Sequence, residues 1–175
     1  MPRDYDIPSV GLLDTNFFVS CFVPTDRFHR DAREYLRALA AAVVQGRAQL
    51  WTAPRVIEET LWVGCRSYYE AEYGSGSFGA LSDTEKLSAL SRNAPLLRAL
   101  TETLLSEHAP YSITSLVAED MRVAADVATE YAVPVTDACL AALAPRLCDG
   151  NIVTNDRHME RIPEINCVPC VTPRP

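Results

Sequence analysis

An apolar run that ends in an acidic residue is the feature that most constrains this chain. Val10–Leu13 is followed directly by Asp14, Thr15 and Asn16. A short continuous apolar run bounded by turn-forming residues is typical of a strand buried in a parallel sheet. The end of such a strand opens into the crevice at the carboxyl edge of the sheet, where α/β proteins place their sites. We therefore predict that Asp14 lies in a functional crevice, although an Asp14 that only caps the following helix would give the same pattern.

Helical and strand-like segments alternate along the rest of the chain. The predicted strands after the first are Gln49–Thr52, Tyr111–Thr114, Asn151–Thr154 and Asn166–Val168. The predicted helices are Phe17–Val23, His29–Val44, a helix that opens at Pro54, Ser82–Leu90, Pro95–His108, Leu116–Glu130 with Ser115 as its cap, and a helix that opens near Asp137. This alternation predicts an α/β domain with a central, mostly parallel sheet.

Length and hydrophobicity predict one domain, which we assign to residues 8–170, with loose termini at 1–7 and 171–175. The chain has 175 residues, of which 48% are hydrophobic, so it can bury a substantial core. No apolar run approaches the roughly 18 residues that a membrane-spanning helix requires. The charged N-terminus lacks the apolar region of a secretory signal. We therefore expect a cytoplasmic protein that does not enter a membrane.

The segment between the third and fourth predicted helices is rich in glycine and serine. Residues 68–80 loosen into Gly74–Gly79, for which we predict a flexible loop or lid. In the helix that follows at 95–108, helical spacing predicts that four leucines lie in the core: Leu96, Leu97, Leu100 and Leu104.

The net charge of the chain is −7, from 16 Lys and Arg against 23 Asp and Glu. This balance argues against a protein that binds nucleic acid through a broad basic surface. It remains compatible with an enzyme that contacts phosphate through bound cations and a few arginines. Arg55, Arg157 and His158 lie close in sequence to the predicted crevice, and we consider them as phosphate contacts or as ordinary surface charges.

Six cysteines occur, two of them in the sequence Cys167-Val168-Pro169-Cys170. A zinc site could combine this pair with Cys148 or His158, and a redox role is a second alternative. A single pair with this spacing is weak evidence for either role, so we favour buried structural thiols.

Three further acidic residues stand in contexts similar to that of Asp14. Asp156 follows the strand at 151–154, and Asp137 lies in the first turn of a small, apolar helix. On a wheel of 100° per residue, Glu59 lies closer than Glu58 to the packed face of the helix that opens at Pro54. Each acid also has a simpler explanation, because acidic residues are favoured as caps and in first helical turns.

These four acids could converge, because strand ends and the starts of the following helices share one edge of a parallel sheet. Two carboxylates about 4 Å apart repel by about 4 kcal/mol at an effective dielectric of 20, so a cluster requires protons, basic groups or cations. Oxygen ligands suit Mg²⁺ or Mn²⁺. Such ions support hydrolysis of a phosphodiester.

The ordered set of motifs resembles that of the PIN-domain nucleases, a family that includes the VapC-type toxins. The motifs are Leu12-Leu13-Asp14-Thr15-Asn16, Pro54-Arg55-Val56-Ile57-Glu58-Glu59, Val135 to Ala144 with Asp137, and Ile152-Val153-Thr154-Asn155-Asp156. The resemblance implies a three-layer α/β/α fold and a Mg²⁺- or Mn²⁺-dependent endoribonuclease. It further implies RNA as substrate, a homodimer and, for a toxin, an antitoxin that blocks the site.

The resemblance also implies roles for individual residues. Carried over by position, Asp14, Glu59, Asp137 and Asp156 are the catalytic and metal-binding acids. A second set is implied as polar supports: Thr15, Asn16 and Thr154. Asp137 follows Glu59 by 78 residues, which is more than a compact toxin of this kind requires. We expect the extra helices and the glycine loop of this segment to form a lid or an interface, or else to mark a family member that is not a toxin.

Two other functions stay open. The first is a catalytically silent binding module on the same fold, for nucleic acid or protein. The second is a phosphotransferase with Asp14 as nucleophile, although the second acid two residues later, typical of haloacid-dehalogenase-like phosphatases, is absent.

Overall fold

Five short strands form a single sheet in the computed structural model, which describes residues 5–170. They are β1 (Val10–Leu13), β2 (Gln49–Thr52), β3 (Ser112–Ile113), β4 (Asn151–Val153) and β5 (Asn166–Val168). Their order across the sheet is β3-β2-β1-β4-β5, and every pairing is parallel. The predicted parallel sheet is confirmed.

Seven α-helices connect the strands within the described range. They are α1 (Thr15–Phe22), α2 (His29–Val44), α3 (Pro54–Tyr73), α4 (Asp83–Arg92), α5 (Ala94–Leu104), α6 (Ala118–Tyr131) and α7 (Val135–Cys148). Helices α1, α2, α3 and α5 form one contacting group, whereas α6 packs on α7 and α7 packs on β1 and β4. The three-layer α/β/α fold class is confirmed.

The strand order creates one crevice that matters for function. From β1 the chain adds β2 and β3 on one side, then returns to add β4 and β5 on the other. The direction of winding therefore reverses between β1 and β4, which pair at Leu12–Ile152 and Leu13–Val153. Ligands of open α/β sheets bind at the carboxyl ends of the strands at such a reversal. The segments after Leu13 and Val153 lead directly into it.

Helix α7 is buried along most of its length, because it lies between α6 and the sheet. All residues from Ala138 to Ala144 are buried, which explains why its sequence lacks the polar face of a surface helix. The buried carboxylate of Asp120 on α6 accepts two hydrogen bonds from Arg146 on α7 and one from the backbone N–H of Val117. These bonds tie α7, which carries Asp137, to the helix before it.

No single helix among residues 5–170 has the length and hydropathy of a membrane span. Helices α6 and α7 have that length and hydropathy only when they are taken together, and the chain bends by 119° between them.

Three local predictions require correction. Helix α3 continues to Tyr73 instead of loosening at residue 68. Helix α6 begins at Ala118, and the side chain that accepts a backbone N–H at its start is that of Asp120, which bonds the N–H of Val117, rather than that of Ser115. Leu96 is 48% exposed, whereas Leu97 is partly buried and Leu100 and Leu104 are buried. Tertiary packing explains the last difference, since α5 contacts α3 and α4 on only one side.

The glycine-serine loop after α3 is fixed by an aromatic contact. Phe78 is 3% exposed and packs edge-on against Trp62 and Tyr69 of α3, with ring centroids 5.4 and 5.7 Å apart. The extra helices predicted before Asp137 are present as α4 and α5. Together with α3 they form a second, smaller apolar cluster.

The predicted loose termini fall mostly outside the described residues. Residues 1–4 and 171–175 are not described, whereas Tyr5 stacks edge-on against Tyr35, whose hydroxyl donates to the carbonyl of Asp6. Residues 5–7 therefore contact α2. The domain bounds themselves stay a prediction.

Gly150 forms the turn between α7 and β4 and tolerates no side chain. Its φ is +79°, and an added Cβ would lie 2.4 Å from the carbonyl oxygen of Glu164. We expect Gly150→Ala to destabilise the fold by about 2–4 kcal/mol, from backbone strain and steric overlap. Urea unfolding measures this change. Gly46→Ala is the matched control, with φ +68° but nothing within 4 Å, so we expect about 1 kcal/mol there. Equal losses in the two variants would contradict the role of the overlap.

Candidate active site

Asp14 lies at the carboxyl end of β1, where it both caps α1 and faces the crevice. Its Oδ1 accepts the backbone N–H of Thr15 at 2.6 Å, and its Oδ2 accepts the hydroxyl of Thr154 at 2.7 Å. The side chain is 3% exposed. Asp14 is therefore both the N-cap of α1 and a residue at the carboxyl end of the sheet, as each interpretation predicts for its position, while its functional role stays a prediction.

The strand ends of β1 and β4 are joined through polar side chains. The Thr154 hydroxyl donates to Asp14 and accepts the backbone N–H of Asp156 at 2.9 Å. The Asn16 amide donates to Asp156 Oδ2 at 3.2 Å and lies 3.5 Å from Asp14 Oδ2. Asp14 and Asp156 thus share the same two partners.

Glu59 reaches the same crevice from α3. Its Oε2 accepts the hydroxyl of Thr15 at 3.0 Å, whereas the exposed Glu58 pairs with Arg55 at 2.9 Å and points away. The choice of Glu59 over Glu58 from helical geometry is confirmed as a position. Thr15, Asn16 and Thr154 each bond a predicted acid.

Asp137, in the first turn of α7, completes the cluster. One of its carboxylate oxygens, Oδ2, is buried and has no hydrogen-bond partner within the described part of the chain. Ligand atoms of Asp137, Asp156 and His158 all lie within 4.8 Å of one another. A buried, unbonded carboxylate oxygen next to a second carboxylate and an imidazole fits a divalent cation, because each can supply a lone pair to a shared centre.

Burial and mutual repulsion shape the protonation of the cluster. Burial, followed by repulsion from Asp156 and Glu59, raises the pKa of Asp14 to about 6, against the lowering effect of its hydrogen bonds from Thr154 and Thr15. Burial first, and then Asp14, Asp156 and Glu59, raise the pKa of Asp137 to about 7. Without a cation, part of the cluster therefore holds protons near neutral pH, and a bound cation would displace them.

The cationic residues near the crevice differ in position. His158 donates its backbone N–H to Asp156 Oδ1 and its Nδ1 lies 3.4 Å from the same oxygen. Arg157 is exposed, and Arg55 is bound to Glu58. The sequence suggested His158 as a phosphate contact or, together with the CxxC pair, as a zinc ligand, and did not include it in the acidic cluster. Its two-residue spacing from Asp156 was the signal that would have placed it in the cluster.

The cysteines fall outside the metal-ligating group of Asp137, Asp156 and His158. Among the described residues, the group of three or more metal-ligating side chains contains no cysteine. Cys170 is buried and accepts a hydrogen bond from Asn155, and Cys148 is buried at the end of α7. Cys167 lies in β5 and Cys170 shortly after it, so the pair is placed at the edge of the sheet, and its purely structural role stays a prediction.

Thr154 offers a test of the hydrogen bonds that hold the cluster. We expect Thr154→Val to weaken Mn²⁺ binding by about 10- to 100-fold, since residues that orient metal ligands commonly have effects of this size. Isothermal titration calorimetry measures the affinity. Thr154→Ser keeps the hydroxyl and should restore most of it, whereas similar loss in both variants would mean that the threonine acts only through packing.

Comparisons with known proteins agree with this geometry. The family model described as PIN domain matches residues 11–165. A crystal structure of VapC20 from Mycobacterium tuberculosis, described as a toxin that cleaves the sarcin-ricin loop, aligns with 15% identity and a TM-score of 0.54, covering 86% of this chain and 92% of that one. Comparison with curated protein sequences gives no match. Because the family model spans most of the chain and all four acids, the protein belongs to the PIN domain family.

Proposed function

We propose that the protein is a Mg²⁺- or Mn²⁺-dependent endoribonuclease, with Asp14, Glu59, Asp137 and Asp156 as its catalytic and metal-binding residues. One observation carries the proposal: Asp137 has a buried carboxylate oxygen without a hydrogen-bond partner among the described residues, and a carboxylate oxygen of Asp137 lies within 4.8 Å of ligand atoms of Asp156 and His158. Leaving such an oxygen without a partner costs about 1–3 kcal/mol or more. An arrangement of this kind persists where a ligand completes it.

Each residue has a task that follows from its contacts. Asp14 is fixed by bonds from Thr15 and Thr154, so both of its oxygens are oriented before any ligand binds. Glu59, held by the Thr15 hydroxyl, flanks the site from α3 and would bind or orient a cation or the attacking water. When bound, the divalent ions would lower the pKa of that water, orient the phosphodiester and stabilise the leaving oxygen.

The positive side chains near the cluster would handle the substrate. The exposed Arg157 lies one residue from Asp156 and is a candidate contact for an RNA phosphate. Arg55, at the start of α3, is a second candidate. A protein with net charge −7 gains little from long-range attraction to RNA, so local contacts of this kind must supply the affinity.

The biological setting belongs to the same proposal. The VapC20 structure is that of a toxin, and we propose that this chain is the toxin of a toxin–antitoxin pair. It would then act in the cytoplasm on RNA, as a homodimer, with an antitoxin protein that covers the acidic crevice.

Metal titration tests the proposed function directly. Mg²⁺ or Mn²⁺ should raise the melting temperature and, in the same concentration range, switch on cleavage of a mixed RNA pool. Stabilisation by RT ln(1 + [L]/Kd) amounts to about 2.7 kcal/mol at a hundredfold excess over Kd. Ion binding without cleavage of any RNA in the pool would favour the silent binding module, and no response to either ion would contradict the metal centre.

A further inference from the structure

A cavity of about 370 Å³ adjoins the acidic crevice on its α3 side. It lies between α3, α4 and α5, and its lining joins Glu59 of the crevice to apolar and charged neighbours: Arg55, Glu58, Trp62, Leu90 and Leu97. Because Glu59 lines the cavity and also bonds Thr15, an occupant would lie one side chain from the acidic cluster. Glu59 is therefore shared by the cavity and by the crevice where we propose that the phosphodiester binds.

Trp62 contributes an aromatic ring to the lining of this cavity, and that ring is held in a fixed orientation. The indole is 44% exposed, an unusual position for the largest apolar side chain. One side of it rests on the buried Phe78, with ring planes at 75° and centroids 5.4 Å apart. Phe78, a residue of the glycine-serine loop, therefore holds the Trp62 ring in place. An aromatic ring that is exposed yet already ordered offers a stacking surface at little entropic cost.

Size and charge indicate which occupant fits. Small-molecule sites span roughly 300–1,000 Å³. This cavity lies at the low end of that range, so it takes one planar group. Arg55 and Glu58, which pair at the mouth at 2.9 Å, offer a cation for phosphate and a carboxylate acceptor for base N–H groups.

We propose that this cavity binds one unstacked base of single-stranded RNA, which stacks on Trp62 beside the scissile phosphate. The inference rests on the proposed ribonuclease function and specifies a base-binding site beside its acidic crevice. It also accounts for RNA capture by an acidic protein, because base stacking on an aromatic ring is insensitive to net charge. Arg55 would contact the adjoining phosphate.

The test uses Trp62 itself as the reporter. The chain has two tryptophans, so Trp51→Phe leaves Trp62 as the sole indole, and Asp14→Asn prevents cleavage during the measurement. Tetraadenylate and tetrauridylate are the probes. We expect saturable quenching of the Trp62 fluorescence by both, with tighter binding of tetraadenylate because purines stack over a larger area.

A pair of matched variants isolates the stack. Trp62→Leu in the Asp14→Asn background should weaken binding of labelled tetraadenylate by about 5- to 100-fold, the range found for loss of one base–aromatic stack, as measured by fluorescence anisotropy. Tyr73→Leu removes another exposed aromatic residue, 47% exposed at the far end of the same helix, and should leave the affinity unchanged. Thermal unfolding of both variants verifies that they fold.

The outcomes separate this inference from the proposed function. RNA cleavage by wild-type protein together with equal tetraadenylate affinity in Trp62→Leu and Tyr73→Leu would overturn the base site and leave the nuclease intact. Trp62 quenching without cleavage by the wild type would support the base site and contradict the nuclease. Trp62 fluorescence that does not respond to either probe but changes with protein concentration would overturn the inference in favour of a second copy of the chain in this cavity.

Discussion

Asp14→Asn is expected to lower the rate of RNA cleavage by about a thousandfold or more while the fold stays intact. Asp14 is the most buried acid of the cluster and is held by the Thr154 hydroxyl and the Thr15 N–H. An asparagine there keeps the volume but removes one negative charge from the centre that would bind cations. Loss of several kcal/mol of electrostatic stabilisation in the transition state corresponds to a fall of this size.

Single-turnover cleavage of a defined RNA, with Mn²⁺ saturating for the wild type, measures this change. Asp149→Asn is a matched control, because Asp149 follows α7 at the far end from Asp137; we expect its cleavage rate to equal that of the wild type. Wild-type cleavage by Asp14→Asn would contradict the assignment of Asp14. Circular dichroism distinguishes loss of catalysis from loss of folding.

The stability of the metal-free protein should depend on pH through the same carboxylate. Burial raises the pKa of Asp14 from 3.8 to about 6 in the folded state, so the folded protein binds more protons than the unfolded chain between these values. Stability from this group is therefore complete below about pH 4 and is lost as pH rises through about 6. A shift of this size corresponds to about 3 kcal/mol. Asp137, whose pKa is raised to about 7, extends the loss towards neutrality.

Comparison of two proteins isolates the effect from all other titrating groups. At pH 8 without divalent ions, Asp14→Asn should be more stable than the wild type by about 2 kcal/mol, since the lost hydrogen bond offsets about 1 kcal/mol of the gain. Below about pH 4 the gain is absent and only the lost hydrogen bond remains, so Asp14→Asn should be less stable than the wild type by about 1 kcal/mol. Guanidinium unfolding across this pH range measures it, and saturating Mn²⁺ should reverse the order at pH 8. A difference that is constant with pH would mean that Asp14 is not destabilised by burial.

Much of the candidate site could be predicted from local sequence. The end of a parallel strand leads into the crevice at the carboxyl edge of the sheet. Asp14, directly after Leu13, and Asp156, two residues after Thr154, are therefore placed at this edge by their positions in the chain. Helical periodicity likewise separated Glu59 from Glu58, because 100° per residue leaves only one of two neighbours near the packed face. The supports Thr15 and Thr154 were implied by the family resemblance, whereas their hydroxyl bonds to acids 44 and 140 residues away depend on the tertiary structure.

Other features depended on contacts between distant segments. The exposure of Leu96 depends on how α5 packs against α3 and α4, which periodicity alone does not reveal. The glycine-serine loop has the composition of a flexible lid, yet Phe78 fixes it against α3. Composition indicates how flexible a segment is when nothing packs against it, whereas the packing of one aromatic side chain, Phe78, restricts the conformation of this loop in the fold.

By itself the sequence determined the α/β class, the parallel sheet and the four acids, because strand and helix periodicity and strand-end positions are local properties of the chain. The strand order decided that β1 and β4 are neighbours. Asp14 and Asp156 therefore share Thr154 and Asn16 as hydrogen-bond partners, although these bonds join residues that are 140 positions apart in the chain. The tertiary structure alone brought Asp137 to Asp156 and His158 and placed Trp62 beside Glu59. These depend on side-chain distances between separate elements, which are set only when the helices close over the sheet.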